Sequence, residues 1–278
     1  MELLRKFAKM DPDGRHHVVR LLGEFEHKKH LCLVFEPMDC NLRQLLDKLG
    51  GQGLNLRAVQ EYARQLLLAL RFLAKMRIKH CDFKPDNILV NRNRTAVKVC
   101  DLGTAVPADA VTGPEVVARF YRAPEIMLGL PSNSQLDMWS LGCVLFELYT
   151  GKFLFEGKDN NEQLRRFIEV KGTFPVKLLR MAGPMLLKEH FNTATMTYEQ
   201  NVYDSVTGQF MKRAFHPTRP TRSLLHLLQP EGLGHMAPSD RRKLTELADL
   251  LERMLVLDPA KRTTPSAALK HPFIAREY

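Results

Sequence analysis

The 278-residue sequence lacks the features that would assign it to several common classes. Its five cysteines form no CxxC pair, which argues against a disulfide framework or a zinc site and favours reduced thiols. The longest apolar runs, such as LLLAL at 66–70, are much shorter than the roughly 20 residues that a membrane-spanning helix needs. The N-terminal MELLRKFAKM has no apolar signal-peptide region. We therefore expect a soluble intracellular protein.

Acidic residues are also in deficit, because 41 lysines and arginines accompany 31 aspartates and glutamates and give a formal net charge of +10. The excess is concentrated between Lys171 and Lys243, where eleven basic residues accompany five acidic ones. A solvated basic face is the simplest explanation, while docking of an acidic or phosphorylated partner, or of RNA, stays open. No basic motif is interleaved with aromatic residues, so we expect no dedicated nucleic-acid recognition.

Hydrophobic spacing predicts a small strand-bearing region followed by a larger helical one. Residues 2–9 have helical periodicity, and strand-like runs at 18–26 and 30–36 predict a hairpin. The stretch at about 171–240 contains prolines and is predicted to be an insert of short helices and loops. Further helices are predicted at 41–49, 55–76, 134–151, 161–170, 241–258 and 264–274.

One stretch, IKHCDFKPDNILV at 78–90, places many polar residues between apolar flanks. Its pattern contains Asp82, Lys84 and Asn87, and CDLG adds Asp101 fourteen residues after the asparagine. Mg²⁺ prefers a few hard oxygen ligands, so Asn87 and Asp101 are candidate metal ligands. Asp82 is a candidate acceptor for the proton of an attacking hydroxyl, with Lys84 offsetting negative charge on a transferring phosphoryl group. The stretch therefore suits a site that holds metal ions and a polyphosphate.

Three later motifs accompany this stretch: RFYRAPEIMLG at 119–129, LDMWSLGCVLFELYTG at 136–151 and DPAKRTTPSAALKHPFI at 258–274. Together they resemble the protein-kinase family from its hinge to its last helix, over nearly all of the chain. The resemblance implies an α+β protein-kinase-like fold and a serine/threonine protein kinase that uses ATP and Mg²⁺. It implies one kinase domain over 1–278, with residues 1–36 as the remnant of a small lobe (part of one helix and two strands) and residues 37–278 as a complete, mainly helical large lobe.

The same resemblance implies roles for individual residues. Those expected to act on phosphate or metal are Asp82 (catalytic base), Lys84 (contact to the γ-phosphate), Asn87 and Asp101 (magnesium ligands). Those expected around the adenine are the backbone of Glu36 and Met38, the gatekeeper Phe35 above it and Leu89 below it. Those expected to position the substrate or the loops are Glu125 paired with Arg262, Asp137 bonded to the catalytic-loop backbone, and Glu115, Arg119 and Arg122 in the activation segment.

Within the family, HLCLVFEPMDCNLRQLL, KPDNILVN and ARFYRAPEI resemble the dual-specificity tyrosine-regulated branch. Cys81, in place of the usual arginine, and LVLDPAKR most resemble the pre-mRNA-processing (splicing-factor) kinases. This implies a nuclear enzyme, with the cytoplasm as a further location, that acts on spliceosomal proteins of the Ser/Arg-rich or Ser/Thr-Pro type.

The chain departs from the family pattern at several positions. Cys81 removes an arginine that would bind an activation-loop phosphate, Ala118 replaces a Ser or Thr, and Glu115 replaces an activating tyrosine. No glycine-rich loop and no lysine of the VAIK type precede residue 35, so we expect an N-terminally truncated small lobe and poor transfer by the chain as written.

Three alternatives stay open. A catalytically impaired half-kinase, or a fragment of a gene product, acting as a docking scaffold would keep the large lobe without transferring phosphate. A small-molecule phosphotransferase would share the H-x-D-x-x-x-x-N pattern but would not need RFYRAPE with Arg262. An RNA-binding module would show an affinity that falls with salt.

Overall fold

The computed structural model describes residues 2–113, 115–229 and 236–276. In chain order its strands are β1 (Leu21–His27), β2 (His30–Phe35), β3 (Cys40–Asn41), β4 (Ile78–Lys79), β5 (Ile88–Val90), β6 (Val97–Val99), β7 (Val106–Pro107), β8 (Glu199–Asp204) and β9 (Gln209–Ala214). Its helices are α1 (Glu2–Met10), α2 (Leu42–Lys48), α3 (Leu56–Lys75), α4 (Pro124–Met127), α5 (Gln135–Thr150), α6 (Asn160–Lys171), α7 (Val176–Leu179), α8 (Pro184–His190), α9 (Leu224–Leu228), α10 (Pro238–Met254), α11 (Pro265–Ala268) and α12 (Pro272–Ala275). Within these ranges, no helix combines the length and the apolar character needed to cross a membrane.

The front of the chain is α1 followed by the antiparallel β1–β2 hairpin. The hairpin was predicted, but its first strand begins at Leu21 rather than at residue 18. Val18 forms a parallel bridge with Val99 of β6 instead. The Val19 N–H donates to the Val99 carbonyl at 2.8 Å, and the Val99 N–H donates to the His17 carbonyl at 2.8 Å. These bonds attach the hairpin to the rest of the fold.

Short strands set the positions of the polar loops. The sheet of order β3–β5–β6 is antiparallel, and β4 pairs with β7. Residues 80–87 connect β4 to β5 and end in a 3₁₀ turn at Pro85–Asn87. Asp101 follows β6, which pairs with β5, so the turn after β6 comes back beside the loop that leads into β5.

The core is built around α3 and α5. The α3 helix is capped at its N-terminus by Asn55, whose side chain accepts the Ala58 N–H at 2.9 Å. The α5 helix is buried on every side from Leu136 to Leu148, so its sequence is mostly apolar on all faces rather than amphipathic, with a few buried polar residues such as Asp137 and Glu147. The Trp139 ring of α5 is fully buried and contacts two phenylalanines from the following segments.

The insert differs from the prediction of short helices and loops. It contains α7 and α8, but also an antiparallel hairpin of β8 and β9. The turn is formed by Asp204, whose carboxylate accepts the Val206 N–H at 2.8 Å and the Thr207 hydroxyl at 2.9 Å, and by Gly208 at a φ of 68°. Residues 230–235 of the predicted insert lie outside the described residues.

Candidate active site

Asp82 is at the centre of the predicted site. Its Oδ2 accepts hydrogen bonds from Lys84 Nζ at 2.7 Å and from Asn87 Nδ2 at 2.9 Å. The same Asn87 nitrogen donates to the Asp82 carbonyl at 2.9 Å. Within the described residues no hydrogen-bond partner reaches Asp82 Oδ1. One carboxylate oxygen is therefore held in place, and the other is available to accept a proton from a substrate hydroxyl.

His80 connects this loop to the turn that contains Asp101. The Asp82 N–H donates to His80 Nδ1 at 3.2 Å, so the neutral ring is assigned with its proton on Nε2, which donates to the Cys100 carbonyl at 2.9 Å. The Thr104 hydroxyl donates to the His80 carbonyl at 2.9 Å. Both ring nitrogens are used in these internal bonds, so His80 positions backbone rather than substrate.

The Asp137 carboxylate holds the catalytic loop from beneath. It accepts the His80 N–H at 2.8 Å and the Cys81 N–H at 3.0 Å. Burial raises the pKa of the Asp137 carboxyl, while the hydrogen bonds from these two N–H groups act in the opposite direction. Cys81 has a φ of 69°, an unfavourable conformation for a residue with a side chain, which the two bonds help to maintain.

Asn87 and Asp101 supply oxygen atoms that fit a magnesium ion. The Asn87 amide nitrogen is used by Asp82, and no donor in the described residues occupies its amide oxygen. The Cys100 N–H donates to the Asn87 carbonyl at 2.9 Å, which brings the next residue, Asp101, to the same edge. Asp101 is exposed at a φ of 55°, and one of its oxygens accepts the Gly103 N–H at 3.2 Å. An amide oxygen and a carboxylate form a hard donor set that suits Mg²⁺.

A cavity of about 450 Å³ lies next to this edge. Three of the residues predicted around the nucleotide line this cavity, namely Phe35, Leu89 and Asp101. Met38 instead lines a separate hollow together with Asp39 and Asn91, and Glu36 lines neither space. The Glu36 carbonyl and the Met38 N–H make no hydrogen bond within the described residues, so both stay available to a base edge.

The Glu36 side chain has a structural task that sequence reasoning missed. Both of its carboxylate oxygens accept from Lys98 Nζ at 2.7 Å, and one also accepts the Arg20 N–H at 2.8 Å. The two charged side chains are only 15% and 14% exposed. This pair joins the hinge to β6, so it fixes the hinge backbone relative to the strand that leads to Asp101.

Glu125 and Arg262, which were predicted to pair, contact each other in the structure. The guanidinium donates to the two carboxylate oxygens at 2.8 and 2.9 Å, and both side chains are fully buried. Arg122 donates to the Val117 carbonyl at 3.0 and 2.7 Å, and Arg119 donates to the Lys158 carbonyl at 2.7 Å. These bonds attach the activation segment to itself and to the loop that precedes α6.

Glu115 lies apart from these arginines. It is exposed, and in the described part of the chain it makes no ion pair with Arg119 or Arg122. Burial, and then the charge of Arg119, lowers the pKa of the Arg122 guanidinium, while the Glu115 carboxylate raises it. Glu115 therefore acts on Arg122 through space, and the direct pairing that a phosphate would make is not found.

Lys79 holds the activation segment in a way that sequence reasoning also missed. Its side chain is fully buried and its ammonium donates to the Ala110 carbonyl at 2.5 Å and to the Ser132 carbonyl at 3.1 Å. Burial lowers the pKa of the Lys79 ammonium. The neighbouring Cys81 thiol lies 3.7 Å from the Thr112 hydroxyl. Cys81 stands where the family resemblance implies an arginine, and the space around it is therefore filled by groups of the chain itself.

Comparison with known proteins places this geometry in context. The family model described as protein kinase domain matches residues 5–274. Serine/threonine-protein kinase prp4 of Schizosaccharomyces pombe is 41% identical over 100% of this chain and 57% of its own length. Serine/threonine-protein kinase prpf4B of Dictyostelium discoideum is 40% identical over 99% of this chain and 34% of its own length. Dual specificity tyrosine-phosphorylation-regulated kinase 2 of Drosophila melanogaster is 34% identical over 99% of this chain and 35% of its own length. The chain therefore spans a third to somewhat over half of these curated relatives.

Proposed function

The chain belongs to the protein kinase domain family, as its motifs indicated, and from that membership we propose that it is a serine/threonine protein kinase that transfers the γ-phosphate of ATP to protein hydroxyls. The observation that carries the proposal is the hydrogen bonding of the Asp82 carboxylate. One of its oxygens is held by Lys84 and Asn87, and the other is available. This is the arrangement that a base needs when it must accept a proton in one fixed direction.

The remaining roles follow from the contacts. Asp82 accepts the proton of the serine or threonine hydroxyl as that oxygen attacks the γ-phosphorus. Lys84, 2.7 Å from Asp82, is close enough to stabilise charge on the transferring group. Asn87 and Asp101 would hold Mg²⁺, which when bound neutralises charge on the phosphates. The cavity beside Phe35 and Leu89 would take the adenine, with the Glu36 carbonyl and the Met38 N–H at its edge.

We also propose a finer identity for the substrates and the location. The motifs resemble those of pre-mRNA-processing kinases, and the kinase named prp4 is 41% identical to the chain. Spliceosomal proteins of the Ser/Arg-rich or Ser/Thr-Pro type are therefore the proposed substrates, and the nucleus is the proposed location.

The division into lobes belongs to the same proposal. The family match runs from residue 5 to residue 274 and includes the region before the hinge. We propose that residues 1–36, which contain α1, β1 and β2, belong to the small lobe, and that residues 37–278, which contain α2 to α12, form the large lobe. The expected reduction of the small lobe is not supported, because the family match already includes this region.

A docking scaffold is the second candidate function. It is favoured by Ala118, which stands where the resemblance implies a Ser or Thr whose hydroxyl would bond Asp82 and Lys84. Phosphoryl transfer depends mainly on positioning and on charge stabilisation, so the loss of a contact that aligns Asp82 would lower the rate.

Transfer of labelled phosphate from ATP to serine-containing protein, with and without Mg²⁺, tests the enzyme against the scaffold. Asp82→Asn should lower the transfer rate by about two to three decades, and Asp47→Asn on the exposed side of α2 is the matched control. Retained docking of protein without transfer by the wild type would favour the scaffold.

A further inference from the structure

A charged network lies between the catalytic loop and the activation segment. Arg43, in the first turn of α2 just after the hinge, donates through Nη1 to Glu147 Oε1 at 2.5 Å and through Nη2 to the Tyr121 hydroxyl at 2.7 Å. The Tyr121 hydroxyl donates to the second oxygen of Glu147 at 2.5 Å. The Arg43 Nε lies 3.7 Å from an Asp86 carboxylate oxygen. One arginine therefore serves two carboxylates from different parts of the chain.

The network is within reach of a peptide that presents its hydroxyl to Asp82. Asp86 immediately precedes Asn87 and follows Asp82 by four residues, so the two aspartate Cα atoms are at most about 14 Å apart. Tyr121 belongs to the activation segment itself. The side chain of a peptide residue a few positions from the phosphorylated one spans such a distance, especially when it is a long lysine or arginine.

Burial and charge show that the chain's own arginine already occupies the acidic side chains of the network. The Glu147 side chain is 2% exposed, that of Arg43 26% and that of Asp86 44%. Burial lowers the pKa of the Arg43 guanidinium, but the hydrogen bond to Glu147 and the charges around it raise it overall, so the arginine stays charged. The guanidinium also lies 5.2 Å from the centre of the Phe153 ring, which further restricts its position.

We infer that Arg43 is a specificity-determining residue, because it occupies from within the chain the acidic site that a basic residue of a peptide would otherwise bind. Glu147 is saturated by Arg43 and Tyr121. Asp86 is more exposed, but a cation is already 3.7 Å away, and a second one would meet like-charge repulsion.

The inference names a substrate class, and it rests on the proposed kinase function. Peptides whose residues near the serine or threonine are neutral or acidic fit this groove, whereas an arginine or lysine gains nothing there. Of the two substrate types proposed above, Ser/Thr-Pro segments agree with this better than Ser/Arg-rich segments.

Peptide binding tests the assignment without requiring transfer. Fluorescence anisotropy would give Kd values for labelled peptides with one serine in an alanine background and a single arginine placed at each position in turn. The full chain should bind no arginine peptide more than about twofold tighter than the all-alanine one. Arg43→Gln removes the cation that neutralises both acids, so one position near the serine should show about tenfold tighter binding of the arginine peptide. Addition of Asp86→Asn should reduce that gain.

Arg64→Gln is the matched control, because Arg64 forms an exposed ion pair with Glu61 on α3 and its loss changes the net charge equally. It should leave the wild-type pattern intact. Should Arg43→Gln fail to fold, as judged by circular dichroism, Arg43→Gln/Glu147→Gln removes the buried pair whole and leaves Asp86 open. A gain of about threefold at the same position is then expected.

Three results would overturn the role of Arg43. In the first, the ratio of the Kd for the arginine peptide to the Kd for the all-alanine peptide is the same in the wild type and in Arg43→Gln. In the second, the wild type already binds an arginine peptide more tightly than the all-alanine peptide. In the third, neither protein binds any of the peptides. Phosphorylation of the all-alanine serine peptide, measured in parallel, tests the proposed function separately. Absence of transfer together with the expected Kd pattern would reject the kinase activity and leave the specificity role in place.

Discussion

The pair of Glu125 and Arg262 allows the effect of one buried charge to be predicted in some detail. The guanidinium is bidentate to Glu125, donates to the Val256 carbonyl at 3.1 and 3.0 Å and to the Gln135 carbonyl at 2.6 Å, and lies 5.3 Å from the Trp139 ring. Glu125→Gln removes the only negative charge in this set of contacts and replaces one acceptor oxygen by an NH₂ donor. The arginine then stays buried, still charged and facing a second donor.

Breaking a buried pair by removal of one partner lowers the free energy of unfolding by about 3–5 kcal/mol. For 278 residues the unfolding entropy is about 0.6 kcal/mol/K, so the expected fall in melting temperature is about 5–9 °C. Differential scanning fluorimetry or calorimetry measures this directly. Arg253→Gln is the control, because Arg253 pairs with Asp249 on the surface at 60% and 50% exposure and should shift the melting temperature by less than about 2 °C. A shift of Glu125→Gln as small as that of the control would refute the reasoning.

Three further predictions concern the loop, the activation segment and pH. Asp137→Asn can accept only one of the two loop N–H groups, so kcat for transfer to a serine peptide should fall about tenfold or more; unchanged kcat would contradict this. Glu115→Gln should lower kcat by no more than about twofold, since Glu115 acts on Arg122 only through space. A fall in kcat of about tenfold would instead indicate a direct contact. Burial lowers the pKa of His17 and of His190, so the unfolded chain takes up their protons first. The melting temperature should therefore decrease as pH falls below their ordinary value of 6.5, less steeply in His190→Gln, and an increase would be contrary to the account.

Much of the helical part could be predicted because its signals are local. The apolar spacing of α3 and its Asn55 cap lie within a single stretch, and the structure contains a helix there. The start of β1 was misplaced because Val18 and Val19 are apolar like a strand but bond to Val99, far along the chain. The β8–β9 hairpin was missed because β9 is exposed on both faces and has no alternating pattern.

The candidate site could likewise be predicted where its residues are close in the sequence and was missed where they are far apart. Asp82, Lys84 and Asn87 lie within six residues, so their spacing alone predicts that their side chains converge. Lys98 and Arg43 were missed because their partners lie 62 and 104 residues away, and such contacts leave no periodic signal in the sequence. The signal available for Arg43 was a charge soon after the hinge, and the signal for Lys98 was a charge between the valines of a short strand.

The central claim is that Asp82 acts on the substrate hydroxyl while Asp101 holds metal-bound phosphate. Isothermal titration of the full chain with a non-hydrolysable ATP analogue, with and without Mg²⁺, tests this most directly. We predict Mg²⁺-dependent binding, a Kd for Asp82→Asn within about twofold of the wild type, and a Kd for Asp101→Asn at least about tenfold weaker. Equal loss of affinity in the two variants, or binding that does not depend on Mg²⁺, would contradict the account.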